Sequence, residues 1–422
     1  MGRSRRHTNG RTAAAAILLL VPVAACSSAG GTKDTTTFST VDAAPLIHAT
    51  ADTNVDPSKP YTVTAEPGSR LTDVTVTGPD GKQVAGKLAD DQASWQTTGR
   101  LRAGTHYAVQ VAADNGRGGR GLTTTAFTTL TAQNLLTAQL GPDSSGSGIY
   151  GVGQPLTVKL SAPVKDPAAR QEIERSLTVR SEPAATGGWY WVDDQNLHFR
   201  PQEYWPANAK VQLTFDAAGV RIADGLYGGD PSSLSLRTGD RVEALVDAGS
   251  HQMTFKRNGE LVKTLPVTTG KPGFSTRNGI KVVLGQESQV RMSGESIGIA
   301  AGSAESYDLQ VMWATRVTWS GEYVHAAPWS VGSQGVANVS HGCTGMSTEN
   351  AHWFFENTRV GDIVQVVNSL GDPMEPFGNG FGDWNVSWDD WVKHSALGKP
   401  VTTSGSPDGG PAQSWGGLTP QV

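Results

Sequence analysis

The chain has 422 residues, with 34 Lys and Arg against 39 Asp and Glu and a formal net charge of −5. That balance excludes a nucleic-acid partner gripped through a basic face. Fifty-one glycines, 23 prolines and only 17% charged residues suit a turn-rich β protein outside the cell, and the length allows two to four domains.

Residues 1–25 read as an export signal. Arg3, Arg5, Arg6 and Arg11 form a basic start, and an uncharged, mostly apolar run follows to Ala25. The run is too short for a stable membrane anchor but suits the apolar core of a cleaved leader. It ends Val-Ala-Ala-Cys, which resembles the lipobox of bacterial lipoproteins. Cys26 would then be acylated, with the mature chain held on the extracytoplasmic, cell-wall side of the cell membrane. An ordinary cut near Ala25 would instead leave Cys26 a free thiol. Residues 26–43 read as a small polar tether.

Residues 44–131 alternate short strand-like runs with turn chemistry. Pro79-Asp80-Gly81 separates two of them, "THYAVQVAADN" has period two, and Trp95, Tyr107 and Phe127 are spaced as core aromatics. Residues 132–240 repeat the theme and add one helical candidate, capped by Asp166 with Pro167 in the first turn. Both units read as immunoglobulin-like β-sandwiches without a cluster of chemistry-bearing side chains, hence as spacers.

The third unit, 241–371, is mainly β with one helix. Asn258-Gly259 predicts a two-residue hairpin turn, because both positions tolerate positive φ. "GIKVVLG", "EYVHAAP" and "DIVQVV" read as strands, and "STENAHWFFENTRV" as a helix capped by Ser347. In 372–397, Trp384, Trp388 and Trp391 fall at i, i+4 and i+7. A helix would line up the three indoles, which should dock on a neighbouring surface or form a sugar platform. Residues 398–422 read as disordered.

If Cys26 carries lipid, Cys343 has no partner in the chain. A dimer disulfide, an inert buried thiol and a nucleophile are then the open explanations. A nucleophilic thiol needs a base, something to orient that base, and donors for an oxyanion. His325 and His341 lie eighteen and two residues upstream, and Gly342 lets the backbone approach a carbonyl closely. A thiolate beside an imidazolium would have its pKa lowered. A zinc site of Cys343, His341, His325 and His352 has the wrong spacing for a structural knuckle.

"YVHAAPWSVGSQGVANVSHGCTGMS" resembles the signature of the L,D-transpeptidase (YkuD-type) catalytic domain. The whole order, from lipobox through two sandwiches to the tail "FGDWNVSWDDW", is similar to the actinobacterial, including mycobacterial, lipoprotein members. The resemblance implies that Cys343 attacks the peptide bond after the third residue of a donor stem tetrapeptide, releasing D-alanine and leaving a thioester. It implies His325 as base, the backbone carbonyl of Ala326 as its orienter, His341 as a supporting residue, and Gly342 with Cys343 as oxyanion donors. It places Tyr307, Ser320, Gly321, Asn338 and Ser340 against substrate, with Met292 and Trp329 lining lid and pocket. No cofactor or metal is implied. Peptidoglycan stem peptides are the implied partners and carbapenem β-lactams the implied covalent inhibitors.

Two departures stand out: Gly345 replaces the Asn or Arg common in relatives, and the lid "MSGESIGIA" differs from theirs. The expected reaction is 3→3 cross-linking. An L,D-carboxypeptidase using water as acceptor, and a weakly active or inactive wall-binding lipoprotein, are the alternatives.

Overall fold

The computed structural model describes residues 39–50, 52–142 and 148–405. The expected signal, Cys26, the tether up to residue 38 and the tail from 406 lie outside the described residues.

The mainly β expectation holds. The first sandwich stacks a five-stranded sheet on a four-stranded one. Alternation sends Tyr107, Val109, Val111 and Ala113 inward from the strand His106–Asp114, while His106, Ala108 and Gln110 stay exposed. Trp95, Tyr107 and Phe127 are buried, and Tyr61 stacks on Phe127 at 3.9 Å. The tether is shorter than expected. Ser39–Thr40 pairs in parallel with Gly119 and Arg120, and Ala43 is buried.

The second sandwich again opposes five and four strands. Its helix α1, Pro167–Arg175, starts where Asp166 accepts a hydrogen bond from the Ala169 amide at 3.0 Å. The disorder expected from Gly398 does not hold for 398–405. Val401–Thr402 adds an edge strand beside Thr186 and Gly187, and the buried Thr403 accepts from the Ala185 amide at 2.9 Å. The signal was obscured by the Gly-, Pro- and Ser-rich residues that surround this short strand.

The third unit contains nine strands. β1 (Val242–Asp247), β2 (Gln252–Arg257), β3 (Glu260–Pro266), β4 (Gly279–Val282) and β9 (Ile363–Val367) form one sheet in the order β3-β2-β1-β9-β4. β5 (Gly285–Ser293), β6 (Asp308–Arg316), β7 (Tyr323–Ala326) and β8 (Thr344–Met346) form the second, in that order. The β2–β3 turn is the expected one, with φ of 52° at Asn258 and 87° at Gly259. Helix α2, Thr348–Asn357, is capped by Ser347 and buries Ala351 and Phe354 between the sheets.

The third unit sits directly on the second. The Gly151 amide donates to Val360 O at 2.8 Å, and a Cβ at Gly151 would lie 2.1 Å from the Asp362 nitrogen. Only glycine permits that approach. Beyond β9 the chain folds back over the second sandwich. The three indoles do not share one helix: Trp384 occupies its own turn, Asp383–Asn385, and Ser387 caps α3, Trp388–Lys393. All three nevertheless dock on Arg200 of the second sandwich, with its guanidinium carbon 4.9, 5.4 and 4.5 Å from the rings of Trp384, Trp388 and Trp391. The Trp384 and Trp391 N–H groups donate to Gly153 O and Gly188 O.

Candidate active site

β7 and β8 run parallel, with His325 opposite Gly345. Side chains alternate along a strand, so Tyr323 and His325 face one side of β7. Cys343 precedes β8 by one residue and keeps that phase with Gly345. Cys343 and His325 therefore open on the same cavity, about 890 Å³ in volume.

His325 is only 5% exposed. Its Nδ1 lies 2.8 Å from Ala326 O, which fits the tautomer with the proton on Nδ1 and the Nε2 lone pair free. Burial depresses the imidazole pKa, with the Ala326 contact opposing. Burial pushes the Cys343 thiol up to about 12, against the lowering influence of the Tyr323 amide and the Lys281 ammonium. The thiol donates to Gly321 O at 3.6 Å.

Burial therefore works against the thiolate–imidazolium pair, because it disfavours the charged form of both groups. A neutral imidazole there can take the proton as the sulfur attacks.

The loop into Cys343 is held by its own polar groups. Ser340 Oγ donates to Cys343 O at 2.6 Å and accepts from the Gly342 amide at 3.1 Å, while Thr276 Oγ1 donates to Gly342 O. Gly342 adopts φ 121°, which the left-handed turn requires. Its N–H, expected to serve an oxyanion, is thus occupied by a hydroxyl in fixing this turn.

Tyr307, Met292, Ser320, Gly321 and Trp329 line the cavity, as does Ser340. Asn338 does not. Its amide is consumed by Ala248 O, the Thr269 amide and the His251 ring, so it pins a loop rather than facing substrate. His341 lies 2.8 Å from Glu305, whose carboxyl is held low first by the Lys271 hydrogen bond and then by His341. Glu305 and Tyr307 come from the lid between β5 and β6, so His341 joins cavity floor to lid. His352 lies on α2 against Trp313 and Glu356, so the four residues of the zinc alternative are not brought together.

Gly345 is tightly packed. It exchanges two 2.9 Å hydrogen bonds with Thr268, and a Cβ would lie 3.0 Å from Ala327 Cβ and 3.1 Å from Thr268 Cγ2. The neighbouring side chains leave little room for Asn or Arg. Sequence reasoning missed Glu322 and Lys281, which form a buried ion pair beside Cys343. A lysine inside the apolar run "GIKVVLG" was the available signal.

A cavity holding a shielded thiol and a main-chain-oriented imidazole defines a cysteine acyl-transfer site carried on a β-sandwich stalk. Residues 241–366 match the L,D-transpeptidase catalytic domain family, and residues 52–221 match a bacterial Ig domain family. The chain is 34% identical to L,D-transpeptidase 2 of Mycobacterium tuberculosis, over 79% of either chain. It is 32% identical to L,D-transpeptidase 5 of the same species, over 78% of this chain and 71% of that one. A solved L,D-transpeptidase in complex with imipenem is 36% identical with TM-score 0.47, spanning 55% of this chain and 100% of that one. The chain belongs to the L,D-transpeptidases, enzymes of peptidoglycan.

Proposed function

We propose that this enzyme forms 3→3 cross-links through a Cys343 thioester, working from a lipid anchor at Cys26 on the outer face of the membrane. The carrying observation is that Cys343 and His325 open on one cavity with the imidazole tied to Ala326 O. The sulfur attacks the carbonyl carbon of the third stem residue while its proton passes to His325 Nε2. That proton then goes to the departing D-alanine amine as the C–N bond breaks. The acceptor amine attacks the thioester, gives its proton to His325, and the sulfur leaves and recovers it.

The test is to incubate the protein with disaccharide tetrapeptide and follow dimer by mass spectrometry. Dimer in the wild type and none in Cys343→Ala is expected, and equal dimer in both would end the proposal. Release of D-alanine without dimer would indicate a carboxypeptidase. A carbapenem should add its mass to Cys343, and an unmodified thiol after long exposure would favour a wall-binding role. For the anchor, cells fed an alkyne-bearing fatty acid should label the wild type but not Cys26→Ala.

A further inference from the structure

Lys281 lies on β4 with its side chain fully buried, and its ammonium pairs with the Glu322 carboxylate. Burying a lysine is unfavourable unless a partner and hydrogen bonds compensate. The pair spans both sheets of the domain: β4 belongs to one, and Glu322 immediately precedes β7 of the other.

Glu322 is fixed on all sides. Its second oxygen accepts from the Arg277 amide and Nη1, both at 3.1 Å, and its own amide donates to Thr318 Oγ1 at 2.8 Å. Its two chain neighbours are the groups that hold the sulfur. Gly321 O accepts from the thiol, and the Tyr323 amide donates to it.

We propose that the Lys281–Glu322 ion pair is a positioning device for Cys343, pinning the Gly321–Tyr323 main chain against the sulfur and biasing the charge that the sulfur can carry. This rests on Cys343 being the nucleophile but not on its acyl acceptor.

The charged and titratable groups facing the sulfur come from several elements. β4 supplies Lys281, the turn before β7 supplies Glu322, and β7 supplies Tyr323 and His325. The lid adds Tyr307 and the loop before β8 adds His341, while Arg291 of β5, paired with Asp308, and Arg316 of β6, donating to the carbonyls of Thr318 and Trp319, line the same cavity. Tyr307 and Tyr323 are pushed up by burial and stay neutral. Arg277 acts behind Glu322. The formal charges at the sulfur's back are thus two cations and one anion.

The experiment is alkylation of Cys343 by neutral iodoacetamide between pH 7 and 10, which reads thiolate without any cell-wall substrate. Below the thiol midpoint the rate rises with pH, so a moved midpoint appears as a changed rate at fixed pH. Lys281→Met should slow alkylation by up to about tenfold, and Glu322→Gln should speed it by a similar factor. A role confined to holding the fold would move both in the same direction, which would overturn the proposal. Arg277→Gln covers the case in which a buried variant fails to fold, because its side chain is a third exposed. It should slow alkylation two- to threefold by leaving Glu322 less neutralised. An unchanged rate in Arg277→Gln also overturns the proposal. Dimer formation by the wild type is assayed in parallel: no dimer, with the opposed alkylation shifts intact, would sink the proposed reaction and leave this inference standing.

Discussion

Arg200 and Lys281 are both cations in the interior, yet their surroundings differ: the Arg200 Nε has no hydrogen-bond partner, whereas the Lys281 ammonium meets a carboxylate. Arg200 lies under three indoles and donates to the carbonyls of Pro201, Gln202 and Val386, with no carboxylate hydrogen-bonded to it among the described residues. Burial pulls its pKa down to about 10, opposed by Asp383. Lys281 is matched instead by a formal anion, within reach of the reactive sulfur. Neutral carbonyls and ring faces suit a group that holds two domains together, since they solvate one cation in one geometry. A formal charge pair next to a thiol alters the thiol's own ionisation as well. The clasp should therefore respond in stability, and the pocket in chemistry.

The strongest challenge to that division is His325→Ala. It should lower cross-linking by about 10²–10⁴-fold with little change in melting temperature. A large drop in melting temperature would assign the imidazole to the fold instead. In the wild type, cross-linking should decline on acidification only below the ordinary imidazole value of 6.5, because burial depresses the His325 pKa and the base must be neutral.

Trp391→Ala should do the reverse, costing about 3–5 kcal/mol in denaturant unfolding, because the indole is fully buried in the clasp. Alkylation of Cys343 per folded molecule should not change. Arg200→Met keeps volume but strands three carbonyls, so a loss of about 2 kcal/mol is expected, again with the alkylation profile unmoved. A moved profile would erase the contrast with Lys281.

Asp362 sharpens the comparison at the domain junction. One of its oxygens has no partner, and burial raises its carboxyl pKa from 3.8 to about 7. The folded state therefore holds that proton more tightly than the unfolded chain. Stability falls as pH rises from about 4 to 7, and the full penalty remains above 7. Asp362→Asn keeps an acceptor for the Arg359 amide and should stabilise by roughly 1–2 kcal/mol at pH 8, with little effect near pH 4. Equal effects at both would refute the assignment. Truncation after Gly398 is the mildest change, expected to cost about 1 kcal/mol by removing the edge strand and Thr403. No shift in unfolding midpoint would show that strand to be dispensable.

What was legible in the sequence was local or carried by a motif. Asn258-Gly259 specifies its turn by backbone sterics, Asp166 and Ser347 specify their caps, and alternation around Tyr107 specifies a half-buried strand. Cys343 was visible as a candidate because only two cysteines occur in the chain, and His325 because it lies upstream in the motif that Cys343 closes. The state they share was not, since burial, which decides it, is a property of the assembled cavity. The Lys281–Glu322 pair joins residues 41 positions apart, with no periodicity to announce it. Asn338 showed the converse failure: its side chain is spent on three long-range partners, so a position that matched a substrate contact became a brace.

The edge strand Val401–Thr402 means that the polypeptide leaves the second sandwich near residue 239 and comes home to it after the whole reactive head has been built. The head hangs by two ropes rather than one. A single tether would let it swivel, whereas paired attachments with the Trp391 anchor between them resist torque. The mouth of the cleft thus keeps a set bearing relative to the second sandwich.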